Sequence, residues 1–181
     1  MDIGITAGLS KTIFYEYAHR CITAVNRCEK LRYHFPKTPH QIKHAVEGFK
    51  SVSTQGVMRG CVGAVDGLLI RTNAPRSREV GNVQSYYSGH YKLHGANCQA
   101  LADHRCRFIY MSIQCPGGTN DARAYKNTTL PSLVEDLPIG KFIVGDAAYT
   151  VGEHLLTPFA GASRSEKKKD TYNYYLSQCR I

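Results

Sequence analysis

Three aspartates stand where a carboxylate has chemical consequences. Asp66 follows the apolar run Val62-Gly63-Ala64-Val65, Asp146 follows Phe142-Ile143-Val144-Gly145, and Asp121 follows the turn Gly117-Gly118-Thr119-Asn120. An ionised carboxylate in a buried strand is costly unless it is paired or meets a cation. Two of them brought together by neighbouring strands cannot both stay ionised without positive charge between them. Hard oxygen donors of this kind suit Mg²⁺ or Mn²⁺. Two such ions would activate a water and stabilise the leaving oxygen of a phosphodiester. Each aspartate also has an ordinary reading, as a turn residue, a helix cap or a strand-end turn. Their shared placement, together with the basic charge of the chain, favours the metal reading.

The elements that must position these residues are set by periodicity. Residues 10–28 carry Ile13, Phe14, Tyr17, Ala18, Cys21, Ile22 and Val25 at helical spacing, with Ser10 as N-cap. Thr38-Pro39-His40-Gln41 has the arrangement of a capping box and opens a second helix through Ile42, Ala45, Val46 and Phe49. This N-terminal helical segment, residues 1–55, reads either as the remnant of a helix-turn-helix or as a helical lid packed on the next domain. From residue 56 the texture changes. Cys61–Thr72 is a β-rich run interrupted by Asp66-Gly67, and residues 73–93 are polar and loop-like. Ala96–Ala102 and Arg107–Gln114 read as strands joined by a tight turn, Asp121–Asn127 as a helix, and Lys141–Val144 as a short buried strand. Thr150–Leu156 is expected to be a helical turn, residues 161–171 a basic loop, and Thr171–Ile181 the start of another helix. The order predicts an α/β fold: a mixed sheet flanked by helices, spanning residues 56–181.

With 181 residues, 43% hydrophobic and 20% charged, the chain is ordinary globular protein. It needs no disulfide staple to build a core. No apolar run is long enough to span a bilayer and no secretory signal is visible, so an intracellular location is expected. The seven cysteines form no CxxC and no zinc-finger spacing, and read as reduced, mostly buried thiols. His40 and His44 are one helical turn apart, but without a third ligand beside them they read as a surface pair. The formal charge of +9 and pI near 9.3 favour a polyanionic partner, nucleic acid before membrane. Candidate phosphate contacts are Arg76, Arg78, Lys92, His94 and the run Lys167, Lys168, Lys169.

The strings GCVGAVDGLLI, YYSGHYKLHGANCQALAD, CPGGTNDARAY, VGDAAYTVGEHLLTPF and YNYYLSQCRI, in this order and separation, resemble the PIF/Harbinger-type DDE transposases. The resemblance implies an RNase H-like nuclease domain that uses divalent metal, Mg²⁺ or Mn²⁺, on DNA in the nucleus. It also implies a Myb-like partner protein for DNA recognition. The positions matching the family's acidic ligands are Asp66, Asp121 and Asp146. The fold would set Asp66 and Asp146 on neighbouring strands, with Asp121 heading a helix. In the family a glutamate comes after the segment matching Ser177-Gln178-Cys179-Arg180, and this chain stops at Ile181. It is therefore expected to be incomplete as an endonuclease, or else a domesticated or decayed DNA-binding or protein-interaction remnant without catalysis. Glu166 and Asp170 are poor substitutes, because a catalytic acid belongs on a rigid element.

Overall fold

The computed structural model describes residues 8, 10–161 and 166–180. The chain forms two compact units that meet in sequence at Tyr33 and His34. Helix α1 (Lys11–Arg27) belongs to the first, capped by Ser10, whose hydroxyl accepts the Ile13 N–H. It buries none of its side chains, and Ile13, Tyr17, Ile22 and Val25 are all exposed.

The second unit opens with α2 (Pro39–Val52). Both halves of its capping box are made: Thr38 Oγ1 accepts the Gln41 N–H and Gln41 Oε1 accepts the Thr38 N–H. The strands are β1 (Cys61–Arg71), β2 (Tyr87–Ser88), β3 (Leu93–Ala102), β4 (Phe108–Pro116), β5 (Phe142–Val144) and β6 (Leu155–Leu156). Between β4 and β5 lie α3 (Asp121–Lys126) and α4 (Leu130–Glu135), and α5 (Lys167–Gln178) comes after β6. The sheet runs β2–β3–β1–β5–β6, with β4 also paired to β3. The β1–β3 and β3–β4 pairs are antiparallel meander connections, whereas β5 lies parallel to β1 and β6 parallel to β5. A parallel neighbour needs a long crossover, and α3 and α4 supply it between β4 and β5. The result is the mixed, helix-flanked sheet expected, in the strand order of an RNase H-like fold.

The ladder corrects several boundaries. Asp66-Gly67 does not interrupt β1, which pairs with β3 without a break from Ala64 to Arg71. Residues 150–156 form no helical turn. Leu155 and Leu156 pair with Ile143 and Val144, and the Gly152 N–H is taken by the Leu155 carbonyl. A backbone that gives its hydrogen bonds to a neighbouring strand has none left for a helix. The last helix begins at Lys167 rather than Thr171, so Asp170 stands in its first turn and not in a loop, with Glu166 as the N-cap residue. The part of the expected basic loop at 162–165 lies outside the described residues. Helix α4, not expected from periodicity, is a short turn of chain with buried Leu130 and Val134.

Two buried clusters hold the second unit together. One joins Ile42, Ala45 and Val46 of α2 to Val62, Val65, Leu101 and Ile143 of the sheet. The other joins Phe49 and Met58 to Cys61, Val144, Leu176 and Cys179, which fixes both α2 and α5 to the start of β1. All seven cysteines are free thiols, and four of them, Cys61, Cys98, Cys115 and Cys179, are buried. Burial and the neighbouring Cys179 push the Cys61 thiol well above its ordinary range.

Phe49 is 1% exposed at the centre of the second cluster. Phe49→Ala should lower unfolding free energy by about 3–5 kcal/mol in a urea titration. Ile139→Ala, at a side chain 92% exposed, should change it by less than about 0.5 kcal/mol.

Candidate active site

The parallel pairing of β1 with β5 sets the site. Cys61, Gly63 and Ala64 stand beside Phe142, Ile143 and Val144, and the pairing ends there. Asp66 lies two residues further along β1, whereas Asp146 lies two residues beyond the end of β5, in the segment after that strand and not on it, so both carboxylates stand past the same end of the parallel pair. They line one cleft of about 480 Å³, together with Asp121, Leu68, Leu69 and Asn97 and the turns 88–91 and 117–120.

Asp121 reaches this cleft from the other face of β1. Side chains alternate along a strand, so Asp66 and Gly67 point to opposite faces. Asp121 occupies the space that a side chain at 67 would fill: a methyl there would overlap its carboxylate. On that face Gln99 stands beside Gly67 and Asn97 beside Leu69 in the β1–β3 register. Asp121 Oδ1 accepts hydrogen bonds from Asn97 Nδ2 at 3.0 Å and Gln99 Nε2 at 3.1 Å. Gln99 Nε2 also donates to Asn97 Oδ1 at 2.8 Å, and Gln99 Oε1 accepts from the Tyr149 hydroxyl at 2.8 Å. Gln99 and Tyr149 are buried, at 1% and 5% exposure, so each polar atom in this chain of bonds must find a partner inside the protein. Burial, and then the charges of Asp121, Asp66 and Asp146, push the Tyr149 hydroxyl far up from its ordinary range. It therefore remains a donor.

The other two acids are held by backbone. Asp66 Oδ1 accepts the Gly67 N–H at 2.8 Å, and Asp146 Oδ1 accepts the Ala148 N–H at 2.9 Å in a turn that also bonds the Tyr149 N–H to the Asp146 carbonyl. Asp66 is exposed at the cleft, yet the partial loss of water around its carboxyl raises its pKa most, with the charges of Asp146 and Asp121 adding to it. The Gly67 N–H and the Arg180 guanidinium pull the other way. Among the described residues no group of three His, Cys, Asp or Glu side chains is arranged to hold one metal ion. The donor set fits an ion that takes one or two carboxylates and keeps its remaining ligands as water, as Mg²⁺ does.

The basic candidates lie elsewhere. Arg76 and Arg78 are exposed in the segment before β2, and Lys167, Lys168 and Lys169 form the first turn of α5. Lys169 is paired with Glu166 at 2.7 Å and stands over the Phe159 ring. His94 packs edge-on against Tyr87, and Lys92 is exposed with a positive φ of 55°. None of these lines the acidic cleft, although Tyr91, the neighbour of Lys92, does. Glu166 and Asp170 do not line it either. His40 and His44 line a separate pocket with His34 and His104. Asn97, Gln99 and Tyr149 are the site residues that sequence reasoning missed. Their signal was two amides two residues apart in an apolar strand, which places both on one buried face.

A family model described as "DDE superfamily endonuclease" matches residues 65–181. The chain is 26% identical over 126 residues to the rat (Rattus norvegicus) protein named "Putative nuclease HARBI1", covering 69% of this chain and 34% of that one. It is 26% identical over 177 residues to "Protein ALP1-like" of Arabidopsis thaliana, covering 90% of this chain and 41% of that one. The chain thus spans well under half the length of these curated relatives. No solved structure matches it.

Because the folded-state pKa of Asp66 is raised, its carboxylate is a source of instability once ionised. The sign comes from proton linkage: stability is greatest below the unfolded-state value near 3.8 and falls as pH rises through the higher folded-state value. Asp66→Asn should therefore melt at a higher temperature than the parent at pH 7, and the gap should close towards pH 3. Thermal melts of the two proteins across that range measure it; a gap that does not change with pH would contradict the assignment. Tyr149→Phe should cost about 1–3 kcal/mol in urea unfolding, because it leaves the Gln99 carbonyl unpaired in a buried position.

Proposed function

Since the chain belongs to the DDE superfamily endonucleases, we propose that its acidic cleft takes Mg²⁺ or Mn²⁺ and acts on phosphodiester bonds of DNA. The observation that carries this reading is the β1–β5 pairing, past whose end Asp66 and Asp146 line one cleft together with Asp121. A bound divalent ion would supply the positive charge that polarises a phosphate and lowers the pKa of an attacking water. Asp66 and Asp146 would hold it through the carboxylate oxygens not taken by the Gly67 and Ala148 N–H groups. Asp121, oriented by Asn97 and Gln99, adds a third negative charge from the far face of β1. Arg180 offsets part of that charge beside Asp66.

Arg76, Arg78, Lys92, His94 and Lys167–Lys169 are assigned to the DNA backbone outside the cleft. A nuclear location and a Myb-like recognition partner belong to the same reading. So does the further glutamate of the family's metal shell, whose place comes after the segment matching Ser177–Arg180. In this proposal the cleft binds metal and DNA, and nicking depends on that glutamate as well as on the aspartates.

The test is Mn²⁺ binding by calorimetry together with nicking of supercoiled plasmid, on the parent chain, Asp66→Ala and Asp146→Ala. Either substitution should weaken Mn²⁺ binding at least about tenfold and remove whatever nicking the parent shows. Mn²⁺ affinity and nicking that survive both would place the chemistry elsewhere. DNA binding without any metal-dependent nicking would favour the non-catalytic remnant. Duplex affinity should fall steeply between about 50 and 200 mM salt, on the order of a hundredfold or more, through counterion release. A flat salt profile would remove the electrostatic role of the basic residues.

A further inference from the structure

The acidic cleft has a wall that phosphate chemistry does not call for. Leu68 stands two residues after Asp66 on β1, so the two side chains emerge on the same face, and Leu68 is 38% exposed there. In the turn between β2 and β3 the Tyr91 ring is 51% exposed, and its ring and that of His90 meet edge to face with centroids 4.8 Å apart. Leu68, His90 and Tyr91 all line the cleft that holds the three aspartates. The turn is fixed by the Ser88 hydroxyl accepting the Tyr91 N–H at 3.4 Å, and by Lys92 in the left-handed region.

The phosphates offer this wall little: they are anionic and hydrated, and their natural partners are N–H donors and cations. A nucleobase does fit, because each base has a flat, weakly hydrated face that stacks on aromatic rings and is tolerated by aliphatic ones. A base still stacked in a duplex shows its neighbours an edge, with both faces covered. Only a base out of the stack can lay a face on Tyr91 while its own phosphate lies at the carboxylates.

We propose that Tyr91, with His90 and Leu68, forms a stacking site for an unpaired nucleobase next to the phosphate held at the aspartates. The preferred substrate is then DNA with an extrahelical or single-stranded nucleotide at that position. This rests on the reading of the cleft as a DNA-processing site. Because Tyr91 is exposed and supports no buried contact, its removal leaves the fold intact.

The test compares the affinity of the chain, by fluorescence anisotropy in Mg²⁺, for a labelled duplex and for the same duplex with a one-nucleotide bulge. The bulged duplex should bind about tenfold more tightly, within what one base–aromatic stack supplies. Tyr91→Ala should bring the ratio close to one, and Tyr91→Phe should keep the preference. Equal binding of the two duplexes by the parent, or a preference that survives Tyr91→Ala, would overturn the stacking site and leave the DNA-processing reading standing. Failure to bind either duplex would overturn both.

Discussion

Like charge held at close quarters is the constraint on which this fold turns. A parallel strand pair opens at one end onto a cleft lined by Asp66 and Asp146, and a third carboxylate arrives behind one of them. Nothing hydrophobic stabilises that arrangement, so the surrounding structure has to. The clusters around Phe49 and Leu101 fix β1, β5 and the helices beneath them, and that rigidity is what keeps the acids from moving apart. The protein atoms packed around Asp66 take away part of its water and make its ionised form less comfortable still. In the function proposed, a divalent cation would return the stability given up at the cleft.

The third acid is restrained differently from the first two. Asp66 and Asp146 rest on backbone N–H groups one and two residues further along the chain, which almost any sequence supplies. Asp121 depends on two amide side chains from β3, a hydroxyl from the segment after β5, and the missing side chain of Gly67. Its position is therefore specified from several distant points of the sequence. Those links tie β1, β3 and the 146–149 turn into one block around the cleft.

Much of this was legible in the sequence. An aspartate after an apolar β-rich run announces itself because it breaks the pattern that hydrophobic burial imposes. The Thr38-Pro39-His40-Gln41 cap is equally local, and its hydrogen bonds form within one turn. What could not be read depends on partners remote in sequence. Leu155 and Leu156 look like part of a helical turn until β5 is seen to take their hydrogen bonds. Asp66-Gly67 looks like a turn until the unbroken ladder to β3 keeps the strand extended. Asn97 and Gln99 look like ordinary polar residues until Asp121 meets them from a helix far along the chain. The basic residues were the easiest to pick out and the least resolved by position, since a solvated lysine obeys the same physics wherever it stands on the surface.

The bond between Tyr149 and Gln99 has an evolutionary side. Because the hydroxyl is held as a donor, it takes the carbonyl end of the amide and turns the amino end toward Asp121. A glutamate at 99 could still accept from Tyr149, but its second oxygen would then face the Asp121 carboxylate with no proton between them. Glutamine and glutamate codons differ by a single base, so one mutation is enough to offer this replacement. The chain of bonds makes it one of the least acceptable. Position 99 is therefore closed off by its neighbours' polarity rather than by its size, and lineages that changed it would be expected to have changed Asp121 or Tyr149 as well.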